Sequence, residues 1–206
     1  MTDIKKMKHV LVTGGAGFIG AYLVKKLIEM NIKVTIVDKL LDVGGISYVH
    51  PKANFINADI CDTSLYSRLK DLNIDTIYHL AAQSGGEPSY DNPRFDILTN
   101  SYGTYLIAQF CKDSGVKRLI YTSTVAVYGN NTSGLIDEKS NINPDSIYGV
   151  SKYSGELFIK QILSNSKTKF TIFRVFNTYG PGENLNFQKK GMVSIYIGYI
   201  WKKKPI

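Results

Sequence analysis

Tyr148 and Lys152 stand four residues apart in the run Tyr148-Gly149-Val150-Ser151-Lys152. On a helix that spacing puts both side chains on one face. An ammonium beside a phenol stabilises the phenolate and draws its pKa down from about 10 toward the working pH, as a general base requires. The same spacing also fits an exposed Tyr–Lys pair with no chemistry. A second cluster, Thr122-Ser123-Thr124, closes the apolar run Leu119-Ile120-Tyr121. Hydroxyls at the carboxyl end of a strand lie where open α/β sheets bind ligands, and Thr124 is placed to hold a substrate oxygen beside Tyr148. Ser and Thr at strand ends also serve simply to satisfy backbone groups.

A third stretch, Thr13-Gly14-Gly15-Ala16-Gly17-Phe18-Ile19-Gly20, follows Val10-Leu11-Val12 and opens an amphipathic run from Phe18 to Met30. Strand, glycine turn and helix in that order are the context of a dinucleotide site. Gly14 suits the tight turn, Gly17 leaves the backbone open to a pyrophosphate, and Gly20 lets the helix lie against its strand. The helix start offers free N–H groups and a positive dipole end to phosphates. The Gly-x-x-Gly-x-x-Gly spacing differs from the G-x-G-x-x-G of simple dehydrogenases. A second strand, Lys33 to Val37, ends in Asp38, suited to the adenosine ribose hydroxyls. A carboxylate there repels a 2′-phosphate and favours NAD over NADP, although Lys39 stands next to it.

The elements that must position these residues alternate along the chain. Strands are expected at Lys8 to Val12, Lys33 to Val37, Asn54 to Asn57, Thr76 to Leu80, Arg118 to Thr122 and Phe170 to Val175. Several are apolar on both faces, as a buried parallel sheet needs. Helices are expected at Phe18 to Met30, Ser64 to Leu72, Asp91 to Ser114, Ile147 to Ser164 and Met192 to Lys203. Asn31, Asn73 and Gly115 sit where such residues stop helices. Gly44 to Lys52 and Asn130 to Asp145 read as irregular. The pattern is βαβαβ twice over: an α/β doubly wound parallel sheet of Rossmann type, with helices on both faces.

At 206 residues, 44% hydrophobic and 20% charged, the chain can bury a substantial core as a soluble protein. It has no apolar run of membrane-spanning length and no signal-peptide pattern at its start, so a cytoplasmic location is expected. The net charge of +8 comes from scattered lysines with short clusters at Lys5-Lys6, Lys25-Lys26, Lys189-Lys190 and Lys202-Lys203-Lys204. None is interleaved with aromatics, which points to a solvated surface rather than to nucleic acid. Cys61 and Cys111 lack metal-ligand spacing, and no metal is expected.

Taken together and in this order, the three stretches resemble the extended short-chain dehydrogenase/reductase family, the NAD-dependent nucleotide-sugar epimerases and dehydratases. The opening T-G-x-x-G-x-I-G is matched by Thr13 to Gly20, an Asp-Ile pair after the third strand by Asp59-Ile60, and H-x-A-A by His79-Leu80-Ala81-Ala82. Asn100 with Gly103-Thr104, and Arg174-Val175-Phe176-Asn177-Thr178-Tyr179-Gly180-Pro181, complete the match. The resemblance implies a cofactor shell of Gly14, Gly17, Phe18, Ile19, Gly20, Asp38, Lys39, Asp59, Ile60, Leu80, Ala81, Ala82, Asn100, Thr122, Tyr148, Lys152 and Phe176. It assigns His79 to the strand end rather than to base catalysis.

The implied catalytic set is Thr124, Tyr148 and Lys152, with Ser84, Thr124 and Asn177 facing a nucleotide-diphosphate sugar. Tyr148 would take a proton from a sugar hydroxyl held by Thr124 while hydride passes to the nicotinamide. Return of hydride to the other face of a transient 4-keto-sugar would invert C4. Dehydratases of the family carry Asp-Glu after the catalytic Thr; here Val125 and Ala126 stand there, and neither can act as acid or base in eliminating water. An epimerase is therefore expected, with a nucleotide-sugar reductase or decarboxylase as the alternative. The resemblance also implies an NAD-binding domain over 1–180 and, over 181–206, the start of a substrate-binding region cut short. A cofactor-binding module or remnant without turnover accordingly stays open. Family members pair through the helices matching Asp91 to Ser114 and Ile147 to Ser164, which implies a homodimer.

Overall fold

The computed structural model describes residues 7–40, 48–130, 134–183 and 192–203. Lys5-Lys6, Lys189-Lys190, Lys204, the loop expected over Gly44 to Lys52 as far as residue 47, and residues 131–133 lie outside them. Six strands form one sheet: β1 (His9–Thr13), β2 (Lys33–Asp38), β3 (Asn54–Asn57), β4 (Thr76–His79), β5 (Arg118–Thr124) and β6 (Lys169–Val175). Their order is β3-β2-β1-β4-β5-β6, and every pairing is parallel. The doubly wound sheet is as expected. Its order reverses between β1 and β4, which opens a crevice outside their carboxyl ends.

Side chains alternate across β1. Leu11 joins Val37, Ile77, Leu119 and Ile107 on one face, while Val10 and Val12 pack with Val24, Leu27 and Ile36 on the other. Both sets are buried, as a sheet covered on both faces requires. The covering helices are α1 (Phe18–Glu29) and α2 (Thr63–Lys70), with α3 (Gly86–Asp91), α4 (Pro93–Ile97), α5 (Gly103–Asp113) and α6 (Ile147–Leu163) following, and α7 (Met192–Trp201) near the end. Between β2 and β3 no α-helix occurs among the described residues.

The single helix expected over Asp91 to Ser114 is instead three pieces. Asn92 leaves helical angles, and its side chain accepts from the Phe95 N–H at 3.0 Å to cap α4. The cause is Pro93, which lacks an N–H and disfavours helical geometry in the residue before it. A π-helical turn, Leu98–Tyr102, then carries the chain into α5. Upstream, Gly86–Asp91 is helical, ahead of the helix start expected at Asp91; Pro88 falls in the first turn, where its missing N–H costs no intrahelical bond.

α6 is capped by Ser146, whose Oγ accepts from the Gly149 N–H at 3.1 Å. Its inward face holds Glu156, which is fully buried. Burial alone would raise this carboxyl, but the Arg174 guanidinium and the Ser123 hydroxyl outweigh it and hold the pKa below the usual value. Arg174 donates from Nε at 2.9 Å and from Nη2 at 2.7 Å to the two carboxylate oxygens, and Ser123 donates at 2.6 Å. The pair ties α6 to β5 and β6 at once.

Arg174→Ala should therefore lower the unfolding free energy by about 3–5 kcal/mol, because it strips a buried carboxylate of its two-bonded cation and leaves it only Ser123 and the half-exposed Lys160 at 3.6 Å. Urea denaturation measures this, and the double change Arg174→Met with Glu156→Leu should recover much of the loss. A single-variant cost near zero would show that the pair does not anchor α6.

Candidate active site

A cavity of about 740 Å³ lies in the crevice at the carboxyl ends of the strands. The glycine turn of β1 forms its floor. Gly14 has φ of 71°, and a Cβ there would stand 2.6 Å from the Ala81 nitrogen of the β4 end. A Cβ on Gly20 would meet the Gly14 carbonyl oxygen at 2.2 Å, so the helix could not sit this close with any other residue. Gly17 is different: a Cβ there would find only Gly14 O, at 3.3 Å, and otherwise project into open space. No side chain caps α1 and no acidic residue occupies its first turn, which leaves the positive helix end to an anion.

Asp38 ends β2 beside this turn. Its Oδ2 accepts from the Ala16 N–H at 3.0 Å and its Oδ1 from the Leu40 N–H at 2.9 Å. Each oxygen keeps a second lone pair for a hydroxyl donor. Lys39 pairs with Asp59 at 2.8 Å and lies 4.3 Å over the centre of the Phe95 ring. Burial works to raise the Asp59 carboxyl, but Lys39 and the Cys61 N–H prevail and keep it below its ordinary value. Ile60, Leu80, Ala81, Ala82, Thr122 and Phe176 line the same cavity, as do Ser84 and Asn177.

Asn100 is the one residue of the expected cofactor and substrate set that the cavity wall does not include. It is fully buried, and its side chain is spent within the protein. Its amide nitrogen reaches Gln83 O, Asp96 Oδ2 and Ser151 Oγ at 3.0, 3.2 and 3.1 Å, and its oxygen accepts from the Gln83 N–H at 2.9 Å. Phe95 and Gln83 line the cavity although sequence reasoning did not select them. Gln83 is buried, and its Oε1 has no hydrogen-bond partner. The strand-end motif around His79 was the available signal for it.

His79 is wholly buried behind the crevice. Thr104 gives its proton to the Asn100 carbonyl, so it must accept from His79 Nε2 at 3.0 Å. His79 Nδ1 in turn accepts from Thr13 at 2.7 Å. Burial, with Lys152 nearby, depresses the imidazole to about 3, and a neutral ring fixed at both nitrogens braces β1 against α5.

Thr124, Tyr148 and Lys152 all face the cavity. Thr124 ends β5, and its Oγ1 accepts from the Ala126 N–H at 3.2 Å as the chain enters a short 3₁₀ turn. The Tyr148 phenol is raised above its usual pKa by burial; the Thr124 hydroxyl acts against that rise and Asp96 adds to it. This differs from the depressed phenol expected from the Tyr–Lys spacing. The reason is that the phenol itself is desolvated by burial. Lys152 is buried as well, its Nζ lying 4.3 Å over the Tyr121 ring. Burial pulls its ammonium down to about 7, against the influence of Asp96 and Glu156. Val125 and Ala126 line the cavity beside Thr124, and neither can exchange a proton.

Residues 10–206 match the NAD dependent epimerase/dehydratase family. A protein of Methanocaldococcus jannaschii, provisionally named a UDP-glucose 4-epimerase, is 37% identical over 196 residues, covering 95% of this chain and 64% of that protein. The crystal structure of UDP-glucose 4-epimerase from Thermotoga maritima with UDP-glucose superposes with a TM-score of 0.90 at 32% identity, covering 96% of this chain and 64% of that one. The Thermus thermophilus UDP-glucose 4-epimerase in complex with NAD gives 0.87 at 27% identity, with 96% and 64% covered. This chain thus spans about 64% of the length of these relatives.

The charge state of Lys152 sets a pH dependence. Unfolded, its amine holds a proton to its ordinary 10.5; folded, only to about 7. Between those values the unfolded chain binds the extra proton, so stability rises with pH. Urea denaturation should show a gain of about 1–2 kcal/mol from about pH 7 to 8.5, absent in Lys152→Met. A flat wild-type curve would mean that burial does not depress this lysine.

Proposed function

This chain belongs to the NAD dependent epimerase/dehydratase family, and we propose that it is the cofactor-binding part of a nucleotide-sugar epimerase acting at C4. The observation that carries the reading is one cavity shared by the glycine turn, Thr124, Tyr148 and Lys152, with uncharged Val125 and Ala126 where a dehydratase needs its acid and base. UDP-sugars are the substrate class that the relatives' names support.

The cavity fits a dinucleotide. Gly17 opens to it, the first turn of α1 carries no side-chain cap, and Asp38 keeps acceptor capacity. The turn from Gly14 to Gly20 would hold the diphosphate, Asp38 the adenosine ribose, Asp59 and Ile60 the adenine, and Ala81, Ala82 and Phe176 the nicotinamide end. NAD, when bound, supplies a reversible hydride acceptor. Tyr148 takes the proton from the sugar hydroxyl, Thr124 orients that hydroxyl, and the positive charge of Lys152 favours the phenolate. Ser84 and Asn177, on the cavity wall, face the sugar and its diphosphate.

A second reading is a module that binds NAD without turnover. It is favoured by the span of the chain, because the triad alone does not hold a sugar in a reactive pose. The exposed apolar side chains of Ile97, Leu98, Tyr102, Val150, Leu157 and Phe158 on α4, the π-turn and α6 support a homodimer through these helices. Ile107 and Phe110 of α5, on the same stretch, are buried in the core.

Calorimetric titration of the 206-residue chain with NAD, then with UDP-glucose, should give binding of both. An epimerase assay should follow, with Tyr148→Phe keeping NAD affinity and losing about 10²–10⁴-fold in rate. NAD binding without sugar binding or turnover would leave the second reading; no NAD binding would sink both. Sedimentation velocity should report a dimer at micromolar concentration that Leu157→Asp dissociates, and a wild-type monomer would remove the dimer.

A further inference from the structure

Lys152 must carry its charge in surroundings that oppose it. Its side chain is almost fully buried, which disfavours the ammonium, and the Tyr121 ring of β5 under its Nζ and the neutral His79 of β4 supply no counter-charge. Two carboxylates favour the ammonium, Glu156 from α6 itself and Asp96 from α4. Glu156 is already committed. Both its oxygens accept from Arg174, Ser123 adds a third bond, and Lys160 stands 3.6 Å away. Its negative charge is balanced before Lys152 is counted.

Asp96 is held differently. It is fully buried, and burial raises its carboxyl above the ordinary value, while the Ser151 and Asn100 hydrogen bonds and the Lys152 charge act to keep it ionised. The groups that bind it are neutral. The Ser151 hydroxyl donates to Oδ1, and the Asn100 amide donates to Oδ2 at 3.2 Å. Asn100 also donates to Ser151 at 3.1 Å, which closes the three into one cluster. Ser151 is the chain neighbour of Lys152, so the cluster fixes an anion to α6 one residue from the lysine. Hydrogen bonds from neutral donors stabilise a carboxylate without cancelling its charge, and that charge is left to act on the nearest uncompensated cation.

We propose that Asp96 is a positioning residue of the site, the buried counter-charge that keeps Lys152 protonated, held in place for that task by Ser151 and Asn100. The proposal deepens the reading of Tyr148 and Lys152 as the catalytic pair and rests on it. It accounts for Asn100, which matches the family pattern yet faces away from the cavity. It also defines what has to be measured. Asp96 raises the Tyr148 phenol, which works against a base, and raises the Lys152 ammonium, so the lysine and not the tyrosine reports its role.

Asp96→Asn keeps the shape and an acceptor while removing the charge. The 206-residue chain labelled with ¹³Cε-lysine is titrated by NMR, with Lys152 assigned by the signal lost in Lys152→Met. The wild-type midpoint is expected at about 7, and Asp96→Asn should move it down by about one pH unit or more. Asp96→Glu should return part of the shift, which a purely structural role would not predict. Equal midpoints in folded wild type and Asp96→Asn overturn the proposal. Should Asp96→Asn fail to fold, the wild type decides: the Asp96 carboxyl carbon must step at the Lys152 midpoint and lose that step in Lys152→Met, and a flat signal overturns the proposal. NAD titration of the same wild-type sample judges the catalytic reading separately. A chain that binds no NAD fails that reading while the lysine midpoint still decides for or against Asp96.

Discussion

A helix that turns charged side chains inward binds its neighbours more tightly in geometry than one that packs by apolar contact alone, because each buried polar group needs a partner in a defined direction. α6 presents Ser151, Lys152 and Glu156 to the interior, all nearly or wholly buried. Their partners come from α4, the π-turn, β5 and β6. A rotation of α6 would leave Glu156 without Arg174 and Asp96 without Ser151. Those losses hold Tyr148 and Lys152 over the end of β5, where Thr124 stands.

The second constraint is the meeting of β1 and β4. These strands are neighbours in space but far apart in the chain, and the helices that follow them leave on opposite sides. The crevice stays open only if the β1 turn and the β4 end approach without side chains between them. Gly14 against Ala81 and Gly20 against Gly14 meet that requirement. His79 then braces the approach from below through Thr13 and Thr104. One wall of the cavity is thus set by absent side chains and the other by buried polar ones.

Much of this was legible beforehand. Close backbone approach admits a single residue type, so the glycine spacing identified the turn and the helix after it. Alternating apolar strands and amphipathic helices identified the doubly wound sheet. The break before α4 was signalled by Pro93 but falls only two residues into the helix expected from Asp91, where a proline is also tolerated inside a first turn. Gly86–Asp91 is helical although Gly85-Gly86 and Pro88 are poor helix formers. Phe95 carried no signal either, since an aromatic on an amphipathic helix reads as core; here it faces the cavity under Lys39.

The amino-acid order by itself determined which residues could share a site: Tyr148 and Lys152 by helical spacing, Thr124 by its place at a strand end, and the glycines by the turn they permit. It could not determine the charges those residues carry. Lys152 is depressed and Tyr148 raised by burial, with Asp96 acting on both, and burial exists only once α6 has closed over β5 with α4 beside it. Nor could it separate Asn100 from the cavity it was expected to line. Local spacing is a property of the chain, whereas desolvation and the direction in which a buried side chain points belong to the packed protein.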